Sequence, residues 1–332
     1  MSVAVTCNIT VGKIKLNFVN SVEIDSSWNN LIDTGKIVLP FTLKYRNQSG
    51  LSSSIYDDLI NIGDKVKIDC GYDHNNTTIF EGYVSDIEPK LPTTIFIEDT
   101  MWLLKKISLV KSFEKVSLNE LVDYLMSEVK KTYPDIKYTV NMKIDNLGKI
   151  RINNQTPLQM LEMLRKDFGV QSWVRDGIIN VGLAYDPKYN HTTTFKFQYN
   201  IIKDDLIYKK ATDSKIRIRA VSIIKVGKKH NKIEAFAGDA DGEVRTMHYY
   251  NITTQADLQK IANEEVKKYK FDGWTGSFTS FGIPFTTHGY NVKLIDKVIP
   301  DRNGNYYVKQ VKYTFGNDGY KQQIFLDRKI NN

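Results

Sequence analysis

Apolar and polar positions alternate with period two along most of the chain and switch to a period near 3.6 in three places. Ile14, Leu16 and Phe18 alternate with Lys13, Lys15 and Asn17, and Val22 and Ile24 continue the pattern. This is how a strand with one face in a core reads. Asp33-Thr34-Gly35 reads as a turn, and the short strand Lys36-Ile37-Val38-Leu39 stops at Pro40, which has no N–H for a ladder. Residues 47–54 read as a polar loop. Short strands separated by turn signals predict a barrel or a sandwich.

After Trp102 the period lengthens. Ser117-Leu118-Asn119-Glu120 has the form of a capping box, and Leu118, Leu121, Val122, Leu125, Met126 and Val129 share one helical face. Tyr133-Pro134 ends that helix. A second opens at Thr156 with Pro157 in its first turn, buries Leu158, Leu161, Leu164 and Phe168, and stops at Gly169. Asp176-Gly177 then predicts a tight hairpin between Gln171-Ser172-Trp173-Val174 and Ile178-Ile179-Asn180-Val181. From Thr192 the strand pattern returns, and Lys215-Ile216-Arg217-Ile218-Arg219 places every basic residue on one face. A third helix, capped by Thr254, turns Leu258, Ile261, Ala262, Val266 and Tyr269 inward and ends at Asp272-Gly273.

One stretch occurs twice. Gly63-Asp64-Lys65-Val66-Lys67-Ile68 and Gly289-Tyr290-Asn291-Val292-Lys293-Leu294 open it, and Ile95-Phe96-Ile97-Glu98 and Ile324-Phe325-Leu326-Asp327 close it. Between these marks each copy has an Asn-rich turn and an aromatic strand, Ile79 to Val84 in the first and Tyr306 to Val311 in the second. Such self-similarity decides the fold before any local reading does. The expected fold is mainly β (α+β): two related β-barrel domains with a small α/β domain inserted. The first barrel takes residues 1–112, the insertion 113–187, and the second barrel 188–332 with one helix at 254–270. No Pro/Gly/Ser linker separates them, so the two β regions are expected to pack together.

Composition adds limits. The 332 residues are 41% hydrophobic and 25% charged, ordinary globular values. No apolar run is long enough to span a bilayer, and the alternating N-terminus has no signal-peptide core. Two cysteines, Cys7 and Cys70, make no disulfide framework and suit a reducing compartment, although one bond between them remains open. The net charge of +8 comes mostly from lysines spread along the chain, which reads as a solubility device and predicts no specific nucleic-acid recognition.

Candidate chemistry is sparse. His74, His191, His230, His248 and His288 are isolated from one another and from cysteine at metal-ligand spacing. Asp239-Ala240-Asp241-Gly242-Glu243 lacks the later glutamate of an EF-hand loop and reads as an acidic hairpin turn. Neither a phosphate-binding Gly-rich loop nor a nucleophile elbow occurs. No catalytic residue, metal or cofactor is expected. The strongest local charges are Lys215, Arg217 and Arg219 and the cluster Lys225, Lys228, Lys229 and Lys232. They read as a solvated face; a face toward a partner or a channel is the sharper alternative.

The order of these features resembles the hub proteins of phage tails and related contractile injection machines: the late control protein D family, and the hub part of VgrG spikes. The residues that carry the resemblance are Gly63-Asp64, Phe80-Glu81-Gly82-Tyr83-Val84-Ser85-Asp86-Ile87, Thr156-Pro157-Leu158 to Gly169, Trp173, Gly177, Gly289, Gly304-Asn305-Tyr306-Tyr307-Val308 and Gly319-Tyr320. The resemblance implies a structural, non-enzymatic protein of the virion tail, assembled in the host cytoplasm. It implies a homotrimeric ring that meets the tail tube protein and the central spike, with the tape measure protein and other baseplate proteins as further partners and no membrane. The sequence stops after the second repeat, so neither a fused spike nor a fused lysozyme domain is expected. The alternatives are a tail-associated cell-wall hydrolase and a hexameric distal tail or tube protein.

Overall fold

Thirteen strands drawn from both ends of the sequence hydrogen-bond into one sheet. The computed structural model describes residues 4–40, 43–47, 50–54, 59–185, 191–226, 229–250, 252 and 254–330. From one edge to the other the sheet runs Ile201–Lys209, Gly273–Phe281, Gly319–Lys329, Gly304–Gly316, Ser21–Ser27, Thr34–Val38, Thr94–Asp99, Asn75–Glu88, Lys65–Tyr72, Val5–Val11 and Ile14–Leu16. Asn291–Ile295 pairs with the start of Gly304–Gly316, and Thr192–Lys196 lies parallel to Asn291–Ile295.

The order contains the same five strands twice. In the first unit Ser21–Ser27, Thr34–Val38, Thr94–Asp99, Asn75–Glu88 and Lys65–Tyr72 are neighbours in that sequence. In the second, Ile201–Lys209, Gly273–Phe281, Gly319–Lys329, Gly304–Gly316 and Asn291–Ile295 stand in the same relation. The opening glycines are equivalent in detail. The Gly63 N–H donates to the Val84 carbonyl (2.8 Å) and the Val84 N–H to the Asp64 carbonyl (2.9 Å). The Gly289 N–H donates to the Val308 carbonyl (2.9 Å) and the Val308 N–H to the Tyr290 carbonyl (3.0 Å).

Both glycines have positive φ, +95° and +84°, and each lies against a tryptophan, Trp102 and Trp28. A β-bulge follows at the same place in each unit, between Val84 and Asp86 and between Val308 and Gln310. Beyond it Ile95 matches Ile324, and Ile97 matches Leu326. The neighbouring strand carries Gly35 opposite Ile97 in one unit and Gly276 opposite Leu326 in the other. The fold is mainly β, two related β units with an α/β insertion, as the alternation and the repeat predicted. The middle strands match differently from the sequence reading: Val84 corresponds to Val308, three residues before Val311. The aromatic alternation is period two and does not mark a bulge, so it gave the wrong offset.

The units share a core in which Ile9, Ile37, Ile68, Ile95, Val84, Val308, Tyr313 and Ile324 are buried. They join where Ser21–Ser27 pairs antiparallel with residues 310–316. Between them stands the insertion, whose own core holds the full buried face of α1 (Leu118–Lys130) with Met160, Leu161 and Leu164 of α2 (Pro157–Phe168). Leu158 and Phe168 are only partly buried at its margin. Both helices carry complete capping boxes, Ser117 with Glu120 and Thr156 with Gln159, and Gly169 closes α2 at φ +68°. The tight turn at Asp176 (φ +51°) and Gly177 (φ +70°) forms as expected.

Several local expectations fail for physical reasons. Ile14, Leu16, Val22 and Ile24 do not form one strand. Ile14–Leu16 folds back on an unforeseen strand, Val5–Val11, and Phe18 lies 63% exposed between elements. Gly35 is inside a strand, not a turn: a Cβ there would stand 2.7 Å from the Glu23 carbonyl oxygen, so glycine serves close strand approach. Residues 47–54 are not a plain loop, since Leu43–Asn47 and Gly50–Ser54 pair as a hairpin.

A second inserted unit, unannounced by the sequence, lies inside the second β unit. Ile216–Val226 pairs with Lys229–Gly238 and Glu243–Tyr250, and α3 (Gln255–Tyr269) packs on this three-stranded sheet through Leu258 and Ala262. The acidic stretch from Asp239 is therefore no hairpin turn. It crosses under the start of Ile216–Val226, which lies between the two strands it connects, and Gly242 gives room for the Ile216 backbone.

The glycine equivalence is open to test. Gly63→Ala and Gly289→Ala each force a side chain into positive φ, and each is expected to lose about 1–3 kcal/mol in chemical denaturation. Gly289→Ala should lose more, because its Cβ would meet Trp28 at 3.0 Å against 3.4 Å for Gly63 and Trp102.

Candidate functional site

The junction of the two units and the insertion is polar inside. Ser26 and Ser27 end the seam strand, and Asp33 follows the turn through Trp28. Asp33 accepts from the Ser26 hydroxyl (2.7 Å) and the Ser27 N–H (3.1 Å). Asp99 ends its strand by capping a short 3-10 helix. It accepts from the Met101 N–H (2.8 Å) and from the Asp33 N–H (2.9 Å). From the second unit, His288 brings Nδ1 to 2.5 Å from Ser26 Oγ. From the insertion, Arg175 Nη2 donates to the His288 carbonyl (2.7 Å).

Ser26, Asp33, Asp99 and Arg175 line a recess of about 360 Å³ with Thr287 and Tyr290. Trp28 locks the surroundings, packing edge-on against Trp173 (5.2 Å), His288 (4.7 Å) and Tyr185 (5.9 Å). Tyr185 in turn stacks on Tyr307 (4.2 Å) and donates to Asp327 (2.8 Å).

Burial sets the charges here. His288 is 2% exposed, and burial, aided by the Arg175 charge, holds its imidazole well below the ordinary value of 6.5. Burial raises Asp33 to about 6, against the hydrogen bond from Ser26 and the Arg175 charge. Asp99 is raised well above its ordinary value, first by burial and then by Asp33. The group is not a nucleophilic triad. In a triad the imidazole stands between serine and acid and uses both ring nitrogens. Here Ser26 stands between Asp33 and His288, and the ring nitrogen that faces Ser26 is also the one 3.9 Å from Asp33. The arrangement positions the two units and the insertion against one another. Sequence reasoning missed it because its members come from four distant segments with no motif; only the Gly289 match gave His288 an address.

The basic row is where alternation put it. Ile216 and Ile218 are buried, while Lys215, Arg217 and Arg219 occupy the other face of the inserted sheet. Each has a partner in the chain. Lys215 contacts Asp241, Arg217 lies over the Phe236 ring (4.7 Å), and Arg219 makes two bonds to Glu234 (2.7 and 3.2 Å). Glu234 also holds Lys232, and these two hydrogen-bonded cations lower its carboxyl to about 2. Lys225 and Lys229 fall in paired strands, and Lys228 lies outside the described residues. Among the described residues no group of three or more His, Cys, Asp and Glu is placed to hold a metal ion. No described helix is long and apolar enough to cross a membrane. Cys7 and Cys70 stand opposite each other on adjacent strands as free, buried thiols, and burial pushes Cys7 up to about 11.

Whole-chain comparison gives this architecture a context. A tail protein from Neisseria meningitidis MC58 aligns over 98% of this chain and 96% of its own, with TM-score 0.69 and 16% identity. The 43 kDa tail protein of prophage MuSo2 from Shewanella oneidensis aligns over 98% and 97%, with TM-score 0.66 and 17% identity. The fold is that of phage tail proteins. It extends to injection machinery. An Escherichia coli component of the type VI secretion system, described as similar to T4 bacteriophage tail proteins, aligns over all of this chain and 78% of its own, with TM-score 0.59 and 9% identity. No family model and no curated protein matches the chain by sequence.

The titration of the cluster has a definite sign. Unfolded histidine takes a proton near 6.5, whereas folded His288 resists it. The stability tied to neutral His288 is complete above about pH 6.5 and is lost as pH falls toward its folded value, by at most about 1.4 kcal/mol per pH unit. Asp33 runs the other way, contributing below about pH 4 and losing that contribution as pH rises through about 6. His288→Gln should lower the melting temperature at neutral pH and shrink its further drop on acidification to about pH 5. A variant with the parent's acid slope would remove His288 from the account.

Proposed function

We propose that this chain is a structural hub of a phage tail or related contractile injection machine. Three copies form a ring that joins the tail tube to the central spike. One observation carries the reading: a fold of the tail-protein kind over 98% of the chain, made of two equivalent β units side by side. Three such chains around one axis offer six similar units to a six-fold tube and keep three-fold symmetry for a spike. Closed cyclic symmetry limits the assembly to a ring. On this reading the domains are 1–112, 113–187 and 188–332, with the unit around α3 carried inside the last. The partners are a second and third copy, the tube protein and the spike protein, with the tape measure protein and other baseplate proteins nearby, all in the virion tail.

Hydrolysis of the cell wall is the other reading, and the buried cluster offers it no support, since Ser26 and His288 are both shut from solvent. A hexameric tube protein would need one unit per chain. Light scattering of the purified chain is expected to give a trimer mass, and zymograms with cell-wall substrate no clearing. A stable hexamer or a lytic zone would overturn the hub reading.

For the basic row the proposal is a solvated face. Changing Lys215, Arg217 and Arg219 together to Gln is expected to move stability by about 1 kcal/mol or less, since exposed ion pairs contribute little. Loss of tail assembly with the melting curve unchanged would instead assign these residues to a partner.

A further inference from the structure

Because the two units carry the same strands in the same order, the edges that join them inside the chain exist a second time on its outside. Internally, Ser21–Ser27 pairs with residues 310–316, with Ser27 opposite Gln310, Asp25 opposite Lys312 and Glu23 opposite Thr314. The matched register turns these edges into Ile201–Lys209 in the second unit and residues 86–92 in the first. Ile201–Lys209 is an end strand of the sheet. Residues 86–88 pair with Thr94–Asp99 on one side, while on the other Lys65–Tyr72 reaches only as far as Tyr83.

We propose that these two edges, unpaired among the described residues, pair with each other between copies of this chain. Ile201–Lys209 of one copy lies antiparallel to residues 86–88 of the next, in the internal register. The inference rests on the reading that copies assemble in a ring, and it names the contact that closes that ring.

The carried-over register is chemically consistent. It sets Asp86 opposite Lys209 and Lys90 opposite Asp205, opposite charges in both places, as Lys312 and Asp25 stand 3.8 Å apart in the internal seam. On each edge one amide is held by a nearby carboxylate of its own strand, Ile87 N–H by Asp86 (2.9 Å) and Leu206 N–H by Asp204 (3.3 Å). A docking strand would supply carbonyls in place of these local substitutes. Ile207 and Tyr208 are 64% and 49% exposed, an apolar pair on an open edge of the kind that invites strand addition. Pro89, which the register sets opposite Leu206, has no N–H, so this ladder is shorter than the internal one. The two edges differ, so the contact is head-to-tail and propagates until rotation closes it.

The test joins Glu88→Cys and Ile207→Cys in one chain, residues the register sets opposite each other, and oxidises the protein. Dimer and trimer bands that vanish on reduction are expected from the pair and from neither single variant. Glu88→Cys with Lys203→Cys, four residues out of register, should cross-link far less. The reduced pair should melt with the parent, which excludes misfolding. In parallel, Lys90→Glu should weaken association about fivefold, and adding Asp205→Lys should restore it. A trimer by light scattering with no cross-link at the matched pair would overturn this contact and leave the ring standing. A chain that stays monomeric at every concentration would overturn both.

Discussion

The antiparallel ladder between Ser21–Ser27 and residues 310–316 is the constraint on which the rest of the molecule depends. It ties the first tenth of the chain to the last, and below it Val22, Ile24, Val311 and Tyr313 are buried in one core common to both units. On its outer side Gln310 Nε2 donates to both Asp25 oxygens (2.7 and 3.0 Å). Bringing such distant segments together has an entropic cost that grows only slowly with loop length, which is why long insertions between them are tolerated. The α/β insertion and the unit around α3 hang from this frame, each with its own core.

At the end of that ladder the chain turns through Trp28 and buries polar groups. Leaving them unpaired would cost several kcal/mol, so their hydrogen bonds decide how the pieces fit. Asp33, Asp99, Ser26 and His288 bond to one another and to backbone across the units, and Arg175 reaches in from the insertion. Arg165 of α2 also donates to the Asn29 carbonyl (2.8 Å) beside Trp28. A greasy junction would permit sliding; a directional one fixes a single relative orientation.

The two units also depart from each other in the elements attached to them. The first joins Ser21–Ser27 to Thr34–Val38 by a short turn, where the second interposes the whole sheet and helix around α3. The strand next to the shared five is antiparallel in the first unit, Val5–Val11 on Lys65–Tyr72, and parallel in the second, Thr192–Lys196 on Asn291–Ile295. The inner frame thus repeats, and the elements attached to it do not.

The sequence by itself determined whatever follows from local periodicity and stereochemistry. The buried face of α1, both capping boxes, the Asp176-Gly177 turn, the alternation of the basic row and the equivalence of Gly63 with Gly289 and of Ile95 with Ile324 all follow from it. Each depends on a few neighbouring residues, or on a glycine that no other residue replaces at positive φ. Tertiary structure alone decided the rest. Gly35 reads as a turn until the Glu23 carbonyl is seen beside it. The bulge that follows Val84 and Val308 alike leaves no trace in an alternating pattern. Asp33, Asp99, Arg175 and His288 are unremarkable one by one and become a buried cluster only because the seam folds distant segments onto one point. Strand pairing between distant segments is set by shared burial and register, which a single segment does not encode.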